Sequence, residues 1–159
     1  MLSLLQGLFL FRSEGVQTLS IVSPSTPEGL QQRSELIRIA KSIGLRMISG
    51  SGIYRSGGDD IERALVPALE MMPDVLALPN LAPQDSVRLI ARARDMGFSG
   101  PITTEAAQDA DFLVSAIGSL ADGIVMVGGA SPIDSRSERM QDFMVRFTRL
   151  AGQWNDEAG

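Results

Sequence analysis

The chain has 159 residues, 44% of them hydrophobic, which is the size of one domain with a core built from side chains alone. It contains no Cys and no His, and this excludes disulfides, thiol nucleophiles, His-based triads and thiolate or imidazole metal sites. A formal charge of −5 argues against nucleic acid or an anionic membrane as partner, because both select basic surfaces.

Met1 to Phe11 is nearly all apolar, lacks a basic start and a small-residue cleavage site, and is too short to span a bilayer. Residues 1–18 are therefore expected to form an apolar N-terminal arm or strand of the mature fold. Residues 19–159 then alternate short apolar runs with longer amphipathic ones, the pattern of a parallel sheet covered on both faces. The first strand is Leu19-Ser20-Ile21-Val22. After Ser23-Pro24-Ser25, Thr26 is a helix cap with Pro27 and Glu28 in the first turn. That helix sets Leu30, Leu36, Ile37, Ile39, Ala40 and Ile43 on its apolar side and stops at Gly44.

The second strand is expected from Arg46 to Ile53, followed by the Arg55-Ser56-Gly57-Gly58 loop. Asp59-Asp60 suits the start of a helix bearing Ile61, Ala64, Leu65, Ala68, Leu69 and Met72, with Pro67 interrupting its hydrogen bonding. Val75-Leu76-Ala77-Leu78 reads as a strand buried on both faces and closed by Pro79-Asn80. A helix from Pro83 to Gly97 follows, then a strand over 101–104, a helix over 110–120, a strand over 123–127 and a final helix from Ser135 to about Trp154. The whole describes a flavodoxin-like, doubly wound α/β lobe of about five parallel strands.

The loops carry no phosphate cradle. Ser23-Pro24-Ser25-Thr26-Pro27 has neither the Gly nor the Lys of a P-loop, and Gly50-Ser51-Gly52 lacks the third glycine of a dinucleotide fingerprint. A phosphoryl-accepting receiver would set acidic residues at the ends of strands one and three and a Lys after strand five. Ser23, Pro79 and Gly128 stand there instead. In an open α/β sheet, ligands bind outside the carboxyl ends of the strands. The residues expected at that edge are Ser23, Ser25, Thr26, Tyr54, Asn80, Leu81, Thr104, Glu105 and Ser131. The polar members of this set are suited to holding a small polar solute, and none is an activated nucleophile. No catalytic residue, cofactor or metal is expected.

An ordered set of motifs resembles the carboxy-terminal lobe of type I periplasmic solute-binding proteins, in the branch that recognises branched-chain amino acids for ABC transporters. It comprises Glu28-Gly29-Leu30, Gly57-Gly58-Asp59-Asp60-Ile61, Pro73-Asp74-Val75-Leu76, Arg92-Ala93-Arg94-Asp95-Met96-Gly97-Phe98 and Ala121-Asp122-Gly123-Ile124-Val125. The resemblance implies a non-catalytic binding lobe, outside the cytoplasm, for a solute such as an amino acid. It also implies that Glu105 meets the ligand ammonium, while Leu81 stands where an aromatic residue often follows strand three. Because such receptors close two lobes on their ligand, a second lobe or a homodimer is the expected partner. The alternative is a dimerising interaction domain that kept the fold and lost the ligand.

Overall fold

The computed structural model describes residues 2–48, 52–105, 110–127 and 138–151. Met1–Val127 forms one unit and Gly128–Gly159 a second, in which the described part is a single helix. In chain order the elements are α1 (Leu2–Ser13), β1 (Thr18–Ile21), β2 (Ser23–Pro24), α2 (Pro27–Ser42), β3 (Arg46–Met47), β4 (Ile53–Tyr54) and α3 (Ile61–Leu69). There follow β5 (Val75–Leu78), α4 (Pro83–Asp95), β6 (Ile102–Glu105), α5 (Ala110–Ile117), β7 (Ile124–Val127) and α6 (Glu138–Ala151).

β3, β1, β5, β6 and β7 lie side by side in that order as a five-stranded sheet, every pair parallel. This is the doubly wound order expected from the alternation of elements. β2 and β4 form a second parallel pair that carries β1 and β3 onward. Leu19 pairs with Met47, but Ser23 pairs with Ile53, so the second strand contains extra chain between the two registers. The strand expected over 46–53 is accordingly two short pieces, with 49–51 outside the described residues.

Alternation along β1 divides the core in two. Leu19 and Ile21 face a cluster with Leu36, Ile39 and Ala40 of α2 and Leu8 and Phe11 of α1. Val22, with Leu76 and Leu78 of β5, faces the opposite cluster, built by α3, α4 and Leu113 of α5. The N-terminal segment is thus a helix and not a strand. Leu8 and Phe11 are three residues apart, and that spacing lets a helix set both on one buried stripe.

Other boundaries differ for local reasons. α3 ends at Leu69 instead of reaching Met72: Pro67 removes a backbone donor, Met72 takes a left-handed φ of 48°, and Pro73 follows. Met72 is 84% exposed. α5 ends at Ile117, where Gly118 turns to φ 54° and a 3₁₀ turn runs over Gly118–Ala121. Leu30, expected in the core, is exposed, because the buried stripe of α2 runs through Gly29, Arg33, Leu36 and Ala40 and leaves Leu30 to one side. Built on Gly29, a Cβ would lie 2.6 Å from the Pro24 carbonyl oxygen, so the missing side chain lets α2 begin directly against β2.

A half-buried guanidinium ties down the far end of α4. Arg94 donates to the carbonyls of Phe98, Gly100 and Asp122, each at 2.7 Å, and its guanidinium lies 5.8 Å from the Phe98 ring centre. Burial holds its pKa below the ordinary arginine value. At the amino edge of the sheet, Asp74 plays the matching part for strands. Its Oδ2 accepts the backbone N–H groups of Gln17 and Thr18, both at 2.9 Å, and Thr18 Oγ1 accepts the N–H of Asp74 at 2.8 Å.

Candidate functional site

The chain leaves β1 toward β3 on one side and returns to β5 on the other, so the crevice at the carboxyl ends of β1 and β5 is the topological switch point of the sheet. The backbone there is closely specified. Val22 N donates to Ala77 O at 3.0 Å, extending the β1–β5 pairing by one residue. Ser23 N then donates to Gly52 O at 2.7 Å, and Ser25 N to Tyr54 O at 2.8 Å. Thr26 caps α2, its Oγ1 accepting from Gly29 N at 3.1 Å. On the other side of the crevice Asn80 takes φ 53° immediately after β5. Thr104 pairs with Leu78 and Met126, and Glu105 stands opposite Val127 at the end of β6.

The structure therefore brings Ser23, Ser25, Thr26 and Tyr54 into one paired segment, sets Asn80 and Leu81 beside it, and adds Thr104 and Glu105 at the neighbouring strand end. Ser131 lies outside the described residues. Ser25 is exposed and Thr26 and Asn80 are half-buried, whereas Ser23, Tyr54, Leu81 and Thr104 are buried. Ser23 Oγ has no hydrogen-bond partner among the described residues, and the Tyr54 hydroxyl faces the Asp85 carboxylate. The side-chain groups of the first segment that meet solvent are thus Ser25 and, committed to its cap, Thr26.

Tyr54 is the floor of this edge. Its neighbour Ile53 points outward while Tyr54 points into the α3/α4 cluster. Burial first, then the nearby Asp85 carboxylate, push the phenol pKa well above its ordinary value, so the group is a neutral hydroxyl at physiological pH.

Two charged residues at the site were not anticipated from sequence. Arg33, only 6% exposed, reaches from α2 to the end of β1 and donates through Nη1 to Ile21 O at 2.7 Å and, at a longer 3.4 Å, to Gly52 O. It braces the point where β1 and β3 give way to β2 and β4. Burial lowers its pKa. Asp85, 2% exposed in the first turn of α4, accepts from Ser56 Oγ at 2.7 Å and from Gly57 N at 3.2 Å. The signal in the sequence was a charge on an apolar stripe: Arg33 stands four residues after Gly29 and three before Leu36, and Asp85 four before Leu89.

This arrangement can hold a small polar molecule by hydrogen bonds from a rigid edge. Among the described residues no cluster of three potential metal ligands occurs, and no helix is long and apolar enough to cross a membrane.

The family model for periplasmic binding proteins matches residues 5–159. Comparison with curated proteins finds no match. Among solved structures, a leucine-binding protein from Thermotoga maritima superposes with a TM-score of 0.77 at 17% identity, covering 98% of this chain and 44% of its own. An extracellular ligand-binding receptor from Rhodopseudomonas palustris gives 0.79 at 12% identity, with 97% and 45% covered. A receptor of the same description from Verminephrobacter eiseniae gives 0.78 at 16% identity, with 98% and 45% covered. The chain spans less than half the length of each of these structures.

Proposed function

The chain belongs to the periplasmic binding protein family, and from that premise we propose that it is a binding lobe for a small polar solute, which it recognises without chemical turnover. The class to test first is the branched-chain amino acids, because a leucine-binding protein is among the structures it resembles. The observation that supports the reading is the switch-point edge of the parallel sheet, where Ser25, Asn80 and the end of β6 stand at the carboxyl ends of neighbouring strands. In this reading Ser25 and Asn80 supply hydrogen bonds, and Glu105 pairs with the ligand ammonium. Ser23, Thr26, Tyr54, Leu81 and Thr104 form the wall and floor beneath them. The protein acts outside the cytoplasm, in solute transport.

A lobe with one wall leaves much of a small ligand in water, so affinity is weak unless a second lobe or a second copy covers the cleft. Thermal unfolding in the presence of L-leucine, L-isoleucine, L-valine and small organic acids tests the proposal, since a ligand of the native state raises the transition by mass action. A rise with one class, abolished by Glu105→Ala in a chain that still folds, is the expected result. No rise with any solute at millimolar concentration refutes it.

A second reading is a self-associating interaction domain of the same fold. Exposed Phe9 and Leu10 on α1 favour it, because apolar groups of this size at the surface favour association. It predicts a dimeric mass in sedimentation and no thermal response to solutes.

A further inference from the structure

The loop Arg55–Gly58 leaves β4 on one side of the β1 end, and α4 begins after β5 on the other side. Asp85 joins them. Its carboxylate is buried in the first turn of α4, yet both of its oxygens are turned toward the loop and take the Ser56 hydroxyl and the Gly57 amide. One turn later Arg88 donates through Nη1 to Gly58 O at 3.1 Å, while its Nη2 lies 3.8 Å from Asp59. The loop is also closed on itself. Gly58 N donates to Arg55 O at 2.7 Å, and the Asp60 carboxylate accepts Arg55 N at 3.0 and 3.1 Å.

Asp60 is therefore spent on the loop and makes no side-chain cap for α3, which is the role its position would ordinarily give it. Gly57 adopts φ 70°, a conformation that costs a glycine little and lets its amide face Asp85. Two carboxylates and one guanidinium thus fix four residues of exposed chain that contribute little to either core cluster. A buried carboxylate directed at a surface loop is better placed to hold that loop in one conformation than to add to packing.

We propose that Asp85 is a positioning residue for the solute edge: it latches the 55–58 loop across the carboxyl end of β1, so that the crevice has a fixed wall before ligand arrives. This rests on the binding-lobe reading above. With the latch intact, a solute is not required to order the loop, and affinity benefits from that preorganisation. With the latch broken, the loop samples other conformations and the same solute binds more weakly, although Leu76 and Leu89 keep their places in the core.

The test compares the full chain with Asp85→Asn, which keeps the shape but replaces one acceptor oxygen by an amide donor, and with Ser56→Ala, a change at an exposed residue that leaves the core intact. Two quantities are read: hydrogen exchange at the Gly57 amide without ligand, and the affinity for L-leucine by calorimetric titration. The latch predicts that Gly57 exchange in Asp85→Asn accelerates about tenfold or more while Leu76 and Leu89 amides keep their protection, and that L-leucine affinity falls about tenfold. Ser56→Ala is expected to shift both in the same direction by less. Unchanged Gly57 exchange in both variants overturns the latch, and so does accelerated exchange with L-leucine bound as tightly as by the parent. Failure of the parent reading looks different, because the unmodified chain would then give no heat with L-leucine, and the positioning role would fall with it.

Discussion

Replacing Arg33 by Ala removes the brace between α2 and the end of β1. The Ile21 carbonyl, at the buried end of its strand, loses a charged donor at 2.7 Å, a deficit of about 1–3 kcal/mol. The aliphatic stem also goes, and two lost methylenes add roughly 1.5 kcal/mol. Part of this is recovered because a guanidinium no longer has to be desolvated, which is the same burial that lowers its pKa. A net loss of about 3 kcal/mol is expected, corresponding to a fall in Tm of roughly 6–12 °C for a domain of this size. Arg33→Met keeps most of the stem and so should lose only about half as much, roughly 1–2 kcal/mol. Urea unfolding followed by circular dichroism separates the two variants, with the denaturant slope unchanged if both act on the folded state alone. An Ala variant within about 0.5 kcal/mol of the parent would refute the reasoning, since surface positions commonly behave that way.

Tyr54 is the chain's one tyrosine, so ultraviolet titration reads it directly. Its folded pKa is raised, and it therefore contributes stability below the unfolded value near 10 that is lost as pH rises toward the folded value. Phenolate absorbance should stay flat through about pH 10 in the native chain and appear near pH 10 in urea; a native midpoint near 10 would contradict the buried placement. Asp74 has the opposite sign. Its pKa is held down chiefly by the Gln17 N–H and the Thr18 groups, so it contributes stability above an unfolded value near 4, lost as pH falls through the lower folded value. The difference in urea midpoint between parent and Asp74→Asn should be constant near neutrality and shrink below about pH 4; a difference independent of pH would remove the assignment.

The sequence made the fold legible where one physical signal dominated. Val75–Leu78 is apolar throughout and flanked by prolines, and it forms the central β5 over those residues. Thr26 before Pro27 marks the start of α2, and Gly44 and Gly97 mark helix ends by taking the left-handed turn that other residues resist. The apolar start had no such signal, because Ser3 and Gln6 are too few to mark a polar face, whereas the structure buries Leu8 and Phe11 on one helical stripe. Tyr54 was expected at the ligand edge, and its side chain instead lies in the core. Ile53 and Tyr54 are both apolar enough for a core, and only the register with Ser23 and Pro24 turns the tyrosine inward. The edge could be placed by topology, but which of its hydroxyls meet solvent depends on that register. Arg33 and Asp85 were obscured because a charge in an amphipathic helix is ordinarily taken as its wet face.

Asn80 is one of two non-glycine residues with positive φ among the described residues, and it sits at the lip of the crevice. A left-handed residue at that point directs Leu81 into the core and keeps its own amide at the boundary with solvent. The backbone accepts few alternatives there, since Asn, Asp and Gly tolerate the conformation and a β-branched side chain does not. The repertoire of contacts at this position is consequently narrowed by chain geometry before any solute is considered: an amide, a carboxylate or bare backbone. A change in what the edge recognises would have to come from the more permissive positions around it, with Ser25 the most open to substitution.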